Sequence, residues 1–233
     1  MKRNEYCAFW VGLLDGDGSI QVNHWRKKIL QYRIVIKLKK TEGNEEMLKL
    51  LTKYVGGRVR TNKDEVLWVE DNKERILNLL EIFKEFPPLT KRLRCQIKFM
   101  EECYKDGNIE KYMQNRNLKY KTYNEDFDFS ILPSYFPYWL SGFIEAEGSF
   151  SIRKSTQSSF SIGQKEELAL IEAIKKYFGA SNKILLKKNK FFLLEIYNKS
   201  ILLKIIDHCS KFPLLGEKLF SFQIFKNFHH ISN

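Results

Sequence analysis

Residues 9–19 read FWVGLLDGDGS, and residues 138–149 read YWLSGFIEAEGS. Both segments combine an apolar run with two small residues and end in an acid followed by glycine and serine. Gly12 and Gly16 are four residues apart in the first segment, as are Gly142 and Ala146 in the second. Residues at this spacing lie on one face of a helix. Each segment therefore predicts a helix with a face free of large side chains, and the simplest partner for that face is the other helix.

Two further landmarks recur in the same order. Residues 47–56 (MLKLLTKYVG) return as 170–179 (LIEAIKKYFG), and residues 86–93 (FPPLTKRL) return as 212–219 (FPLLGEKL). Three landmarks repeated in order indicate two copies of one structural unit.

Between the landmarks, alternating polar and apolar residues predict strands, and apolar residues at helical spacing predict helices. In the first copy the strands are predicted at 19–23 and 31–39, and the helices at 44–55 and 73–85. In the second copy we expect strands near 149–153 and 158–164, a hairpin across 187–189, and helices near 166–178, 199–210 and 216–228. Each copy is therefore predicted to be a small α+β unit.

The stretch between the copies has a different composition. It is rich in Asn, Lys, Tyr and Asp, ends in LPSYFP at 132–137, and predicts a linker with one short helix. We accordingly divide the chain into an N-terminal repeat (1–105), a linker (106–136) and a C-terminal repeat (137–233). Two linked copies predict a pseudo-twofold monomer that needs no protein partner.

The acids at the ends of the two motif helices are the candidate site. If the helices pack side by side, Asp17 and Glu147 emerge together. A carboxylate in the last turn of a helix meets the negative end of the helix dipole, so a pair of them calls for a cation. Mg²⁺ satisfies this demand, with the main-chain carbonyls of Gly16 and Ala146 as further oxygen ligands.

The neighbours of these acids have other predicted roles. Gly18 and Gly148 follow the acids directly and are predicted to be left-handed helix caps. Asp15 and Glu145 lie two residues earlier, on another side of each helix, so they are predicted to be structural or solvated and outside the metal site.

Charge identifies the class of partner. The chain has 40 Lys and Arg against 28 Asp and Glu, a formal charge of +12, which favours a polyanion and above all nucleic acid. A membrane is not expected, because no apolar run reaches the roughly 18 residues of a spanning helix. The four cysteines lack zinc or disulfide spacing and are predicted to be buried thiols in a reducing compartment.

Residues 10–18 and 140–148 resemble the two motifs of the single-chain LAGLIDADG homing endonucleases, and the repeat layout covers nearly the whole chain. The resemblance implies two tandem αββαββα units whose antiparallel sheets form a saddle over the DNA major groove. It also implies that Asp17 and Glu147 are metal ligands, with Mg²⁺ as the cofactor and Mn²⁺ or Ca²⁺ able to occupy the same sites. Gly16 departs from the usual alanine, and the second acid is a glutamate.

The resemblance also implies a basic residue near the start of a late helix in each repeat. Counting from the prolines selects Arg92 and Lys218, with Lys91 as an alternative in the first repeat. Gln164, at the end of a strand, is the candidate for positioning the nucleophilic water. Its counterpart in the first repeat is left open.

Outward positions of the strands are expected to be polar or basic, because two-stranded ribbons fit the major groove and read base edges there. The predicted DNA-contacting residues are Ser19, Gln21, Asn23, Arg33, Lys37, Lys39, Ser149, Ser151, Arg153, Ser159, Ser161, Lys187, Lys188 and Lys190. Trp25, Trp68 and Tyr197 are left open between stacking and packing.

The expected function is a metal-dependent double-strand break at a long asymmetric site in double-stranded DNA. The alternatives are an RNA maturase that binds intron RNA and a noncatalytic DNA-binding regulator, both on the same fold. The N-terminal residues show no secretion or transit signal. The abundance of Lys, Ile, Asn and Phe indicates an AT-rich gene, so we expect an organellar intron, in a mitochondrion rather than a chloroplast.

Overall fold

Two copies of the predicted unit are present in the computed structural model, which describes residues 1–153 and 157–231. The first repeat contains α1 (Arg3–Asp17), β1 (Gly18–Trp25), β2 (Ile29–Lys39), α2 (Glu42–Val55), β3 (Arg58–Thr61), β4 (Glu65–Glu70), α3 (Lys73–Glu85) and α4 (Lys91–Asp106). The linker contains α5 (Ile109–Asn115) and α6 (Lys119–Thr122). The second repeat contains α7 (Phe136–Glu147), β5 (Ser149–Arg153), β6 (Gln157–Lys165), α8 (Leu168–Phe178), β7 (Leu185–Lys187), a 3₁₀ turn (Lys188–Lys190), β8 (Phe191–Ile196), α9 (Lys199–Lys211) and α10 (Glu217–Ile231). The predicted α+β class and repeat order are confirmed.

Local signals in the sequence set the ends of several helices. The side chain of Thr41 accepts a hydrogen bond from the Asn44 amide at the start of α2, and Asn72 does the same for the Arg75 amide at the start of α3. Such caps satisfy amides that have no partner within the helix. Gly107 ends α4 in the left-handed conformation, with φ of 64°.

Each repeat folds its strands into one antiparallel sheet, ordered β1-β2-β4-β3 in the first and β5-β6-β8-β7 in the second. Side chains alternate between the two faces of a strand. One face is covered by helices and holds fully buried residues such as Ile34, Trp68 and Leu194. The opposite face, here called the outer face, carries the paired residues Ser19 and Val35 in the first sheet and Ser149 and Ser161 in the second.

Helices α1 and α7 form the most extensive contact between the repeats. A Cβ atom on Gly12 would lie 1.9 Å from the carbonyl oxygen of Trp139, and one on Gly142 would lie 1.9 Å from that of Phe9. Only glycine allows the two backbones to approach so closely. The predicted pairing of the two glycine-bearing faces is therefore confirmed.

The prediction for Gly18 and Gly148 is wrong. Both residues have extended backbone, with φ of −95° and −74°, because each helix passes directly into the following strand without a left-handed turn. Glycine is favoured by space: a Cβ would lie 2.2 Å from the Leu14 side chain at Gly18 and 2.8 Å from that of Ile144 at Gly148.

The linker differs from its prediction by containing two short helices instead of one. It packs against the first repeat, where the Tyr112 hydroxyl donates to the carbonyl oxygen of Val22 at 2.9 Å. Gln96 on α4 donates to the Tyr120 hydroxyl at 2.9 Å. Tertiary contacts thus order a segment whose composition alone predicts mainly loop.

All four cysteines are buried thiols, as predicted. None of the helices in the part of the chain that the structure describes has the length and apolarity needed to cross a membrane.

Candidate active site at the paired acidic helices

Asp17 and Glu147 are the last residues of α1 and α7, at the same end of the helix pair. Gly16 adjoins the partner helix: a Cβ on it would lie 2.2 Å from the Ala146 Cβ and 3.5 Å from Oε1 of Glu147. Asp17 is exposed and Glu147 is half-buried. The close helix contact therefore brings together one carboxylate from each repeat, as the motif pair predicts.

The surroundings of both carboxylates favour their neutral forms. Although Asp17 is an exposed residue, the protein packed around its carboxylate withholds water and raises its pKa to about 6, while the charges of Lys218 and Arg92 act in the opposite direction. The pKa of Glu147 is also raised, first by burial and then by the negative charge of Asp17. A cation bound between them would relieve this repulsion.

Arg92, in the first turn of α4, places its side chain at the C-terminal end of α1. Its guanidinium donates to the carbonyl oxygens of Gly18 at 2.7 Å and Asp15 at 2.8 Å. The alternative, Lys91, turns towards the linker and pairs with Asp126 at 2.7 Å. Of the two cations considered for the first repeat, Arg92 is therefore the one beside the acids.

Lys218 occupies the corresponding place in the second repeat. Its Nζ lies 3.4 Å from the carbonyl oxygen of Ala146. Burial lowers the pKa of Lys218, while the negative charges of Glu145, Asp17 and Glu147 oppose that shift. The two basic side chains thus flank the acid pair, one at the end of each motif helix.

Asp15 and Glu145 hold the starts of the helices that carry these cations. Asp15 is fully buried and accepts hydrogen bonds from the amides of Leu89 and Thr90, just before α4. Glu145 accepts from the amides of Gly216 and Lys218, at the start of α10. Of the two predicted alternatives, the structural one is correct for both acids, and solvation is excluded by their burial.

Asp15 also links the repeats, since its carboxylate accepts a hydrogen bond from the indole of Trp139 at 2.7 Å. Burial raises the pKa of both Asp15 and Glu145, and their hydrogen bonds partly offset that effect.

Two contacts from the opposite repeat, which were not predicted from the sequence, also hold these helix starts. Glu167, beside α8 in the second repeat, accepts a hydrogen bond from the Lys91 amide at the start of α4. Asn44, on α2 in the first repeat, accepts one from the Glu217 amide at 3.2 Å. No local pattern marks either residue, because both partners are distant in sequence.

Gln164 lies beside one acid only. Its amide donates to Oε1 of Glu147 at 3.1 Å. The strand registers align Val35 of β2 with Ser161 of β6, because each pairs with the serine that begins the preceding strand. The counterpart of Gln164 is therefore Leu38, an apolar and almost fully buried residue. The second repeat thus has a side-chain hydrogen bond to its acid that the corresponding residue of the first repeat, Leu38, cannot make.

The strand residues predicted to contact DNA lie on the outer faces. The registers pair Gln21 with Arg33 in the first sheet and Ser151 with Ser159 in the second. Lys188 and Lys190 lie in the turn before β8. Two of the predicted DNA-contacting residues are less available than the others. Ser159 is only 7% exposed, and Lys37 forms an ion pair with Glu65.

The expectation that outward positions are polar or basic is only partly correct. The outer face of the first sheet also carries Val35, Leu67 and Val69, and that of the second carries Leu185, Phe191 and Leu193. For the four of these residues that lie in β4 and β8, the sequence periodicity gives no indication of the face, because apolar residues occupy both faces of these strands.

The three aromatic residues for which the sequence left stacking and packing undecided differ in burial. Trp68 is fully buried and makes an edge contact with Trp10, whereas Trp25 and Tyr197 are 56% and 51% exposed.

The oxygen donors at this site suit a hard divalent cation that takes some of its ligands from the protein and the rest from water and substrate. Within the described residues no group of three or more His, Cys, Asp or Glu side chains could hold a metal ion. Two carboxylates are available, and the carbonyl oxygens of Gly16 and Ala146 lie beside them, 3.5 Å from Arg92 Nη2 and 3.4 Å from Lys218 Nζ. Mg²⁺ characteristically takes one or two carboxylates and completes its shell with water and substrate phosphate.

Two αββαββα units that meet at an acid-bearing helix pair define a single-chain, two-motif α+β architecture. The sequence model described as LAGLIDADG endonuclease matches residues 10–103 and 140–229, and the chain belongs to this family.

Relatives and solved structures agree with this assignment. The probable intron-encoded endonuclease aI3 of Dictyostelium citrinum is 46% identical over 94% of this chain and 93% of its own length. The protein of the same name from Debaryomyces hansenii is 44% identical over 94% of this chain, which spans only 37% of that relative. The meganuclease I-SmaMI, solved bound to an uncleaved DNA target in the presence of calcium ions, has a TM-score of 0.76 at 17% identity, covering 97% of this chain and 91% of its own.

Proposed function

We propose that this protein is a homing endonuclease that binds a long asymmetric site in double-stranded DNA and breaks both strands by metal-dependent hydrolysis. The observation that carries the proposal is the pairing of Asp17 and Glu147, one from each repeat, between Arg92 and Lys218. The proposal includes the division into repeats 1–105 and 137–233 with a linker at 106–136.

DNA binding is supported by the charge and shape of the protein. The formal charge of +12 favours release of counterions from a nucleic acid. The outer faces present Ser, Gln, Asn, Lys and Arg side chains, which can read base edges and contact phosphates. The two faces differ in sequence, so the preferred site should be asymmetric, and a single chain suffices to cover it.

A divalent metal, with Mg²⁺ as the natural ion, would be held by Asp17, Glu147 and the carbonyls of Gly16 and Ala146. The raised pKa values of both acids support this assignment, because they indicate a site that needs positive charge. When bound, the metal would stabilise charge on the attacking and leaving oxygens of the phosphodiester.

The side chains around the acids have distinct proposed roles. Arg92 and Lys218 place positive charge where the scissile phosphates gain negative charge, and stabilisation of that kind is a major source of catalysis. Gln164 fixes one orientation of the Glu147 carboxylate by donating to it. Its amide oxygen accepts from the Lys165 amide at 2.9 Å and keeps a second lone pair that can accept from a nucleophilic water. The buried anchors Asp15 and Glu145 hold α4 and α10 in place.

An intron-encoded protein of an organelle is the proposed setting, with a mitochondrion favoured. The support is the naming of the relatives as probable intron-encoded endonucleases, together with the composition of the chain.

The test is selection of cleaved duplexes from a randomised DNA library with Mg²⁺, using Asp17→Asn/Glu147→Gln as the control. We expect the wild type to yield one long asymmetric site cut in both strands and the control to yield none. Enrichment of a bound duplex that is never cut would indicate a regulator. Binding of intron RNA in preference to any duplex would indicate a maturase.

A further inference from the structure

An apolar cluster lies on the outer face of the second sheet, where a DNA-reading surface is otherwise polar. It consists of Leu185, Phe191 and Leu193, all of them half-buried. Along β8 the alternate residues face the other side of the sheet: Leu194 and Ile196 are fully buried in the hydrophobic core, and Phe192 packs against it. The cluster residues lie outside that core, so core packing does not explain them.

The strand registers align the cluster in a row. Leu193 pairs directly with Gly163 of β6 on one side and with Leu185 of β7 on the other. Phe191 extends over the glycine, since a Cβ on Gly163 would lie 2.6 Å from Cε1 of the phenyl ring. A side chain at position 163 would displace the ring, so the glycine and the phenylalanine form one arrangement.

The first repeat has a charged counterpart at the same place. The registers align Leu67 with Leu193, and Leu67 pairs with Lys37 and Arg60. Glu65 occupies the position of Phe191 and forms an ion pair with Lys37, the counterpart of Gly163. The second repeat therefore replaces an ion pair by an aromatic ring over a glycine, and an arginine by a leucine.

The surroundings of the cluster indicate its occupant. Phe191 lines a shallow depression together with Lys165, Lys187, Lys188 and Asn189. An apolar floor with a cationic rim fits a nucleic acid whose phosphates meet the rim and whose apolar group meets the floor. In the major groove the apolar group that distinguishes one base is the 5-methyl of thymine.

We propose that Leu185, Phe191 and Leu193 read thymine methyl groups in the half-site beneath the second sheet. This inference rests on the proposed function, since it assigns a base preference to the same DNA-binding surface. The first sheet, with Lys37 and Arg60 around Leu67, is expected to depend less on methyl groups in its own half-site.

The test replaces thymine by deoxyuridine, which removes only the methyl group and leaves base pairing intact. It uses the duplex selected with the wild-type protein, with substitutions made in one half-site at a time. In the half-site beneath the second sheet, each contacted methyl should contribute about fourfold to Kd, the effect of one buried carbon. The same replacement in the other half-site should change Kd less.

A double-mutant cycle assigns the effect to the cluster. Leu193→Ser should reduce the effect of deoxyuridine by about fourfold at the methyl that Leu193 contacts, whereas the matched variant Leu67→Ser should retain the wild-type preference in that half-site. Repeating the selection with Leu193→Ser identifies the half-site by the positions where base preference changes.

Three outcomes would overturn the inference while leaving the endonuclease proposal intact. In the first, the wild type still cuts but tolerates deoxyuridine equally in both half-sites. In the second, the Leu193→Ser variant shows the same deoxyuridine effect as the wild type. In the third, the positions at which Leu193→Ser alters the base preference do not contain thymine. Failure of the wild type to select any cut duplex would instead reject the proposed function, and the inference with it.

Discussion

Replacing Gly12 by alanine tests the close helix contact that brings the two acids together. Alanine is about 1 kcal/mol more favourable than glycine inside a helix, so without a tertiary clash this change would stabilise the protein. In this fold the added Cβ would lie 1.9 Å from the carbonyl oxygen of Trp139. A carbon and an oxygen need about 3.3 Å, so the two helices must separate by more than about 1 Å.

The expected result is a net loss of stability. Overpacking costs about 1–3 kcal/mol, and the clash with a backbone atom places Gly12→Ala at the upper end, because the carbonyl cannot rotate away. A loss of about 3 kcal/mol in a chain of this size lowers Tm by roughly 6–12 °C. Cleavage should fall as well, since separation of α1 and α7 displaces Asp17 from Glu147.

The assay is urea unfolding followed by tryptophan fluorescence, with Trp10 and Trp139 as buried reporters. Gly107→Ala is the matched control: it has φ of 64° and no atom within 4 Å of an added Cβ, so it should lose only about 1 kcal/mol and still cut DNA. A Gly12→Ala protein as stable as the wild type would refute the backbone contact.

Two further variants test individual side chains of the site. Gln164→Leu gives the second repeat the residue of its counterpart Leu38, and we expect cleavage of one strand to slow by about 10–100-fold, so that nicked plasmid accumulates; equal slowing of both strands would contradict the asymmetry. Burial raises the pKa of Glu167 from 4.5 to about 7. Between these two pH values the folded protein keeps a proton that the unfolded chain loses. The free energy of unfolding of the wild type therefore falls as the pH rises through this range. Glu167→Gln removes this loss, so its free energy of unfolding should gain on that of the wild type between pH 5 and pH 8, by at most about 3 kcal/mol; a gap that is constant with pH would show that Glu167 does not titrate in this range.

Much of the fold follows from the sequence because the unit is present twice. Two matching landmark sets predict the repeats, and periodicity predicts most of the helices and strands. The small residues at Gly12 and Gly142 predict which helices meet, because backbone contact requires them. Asp17 and Glu147 follow from that pairing.

Other features depend on geometry that no local pattern encodes. Gly18 suggests a left-handed cap, yet the structure uses it to give space to Leu14. Glu167 and Asn44 act on helices of the opposite repeat, and such contacts exist only after the repeats have packed. Phe191 belongs to a strand that is apolar on both faces, so only the register shows that its ring lies over Gly163.

The measurement that tests the central claim most directly compares binding with cutting in the Asp17→Asn/Glu147→Gln double variant on the selected duplex. Both substitutions keep the size of the side chain and remove its charge, so the DNA-binding faces are unaltered. We predict a Kd for DNA within a few-fold of the wild type and no cleavage of either strand with Mg²⁺. Cleavage that persists in the double variant would contradict the assignment of the acid pair as the catalytic centre.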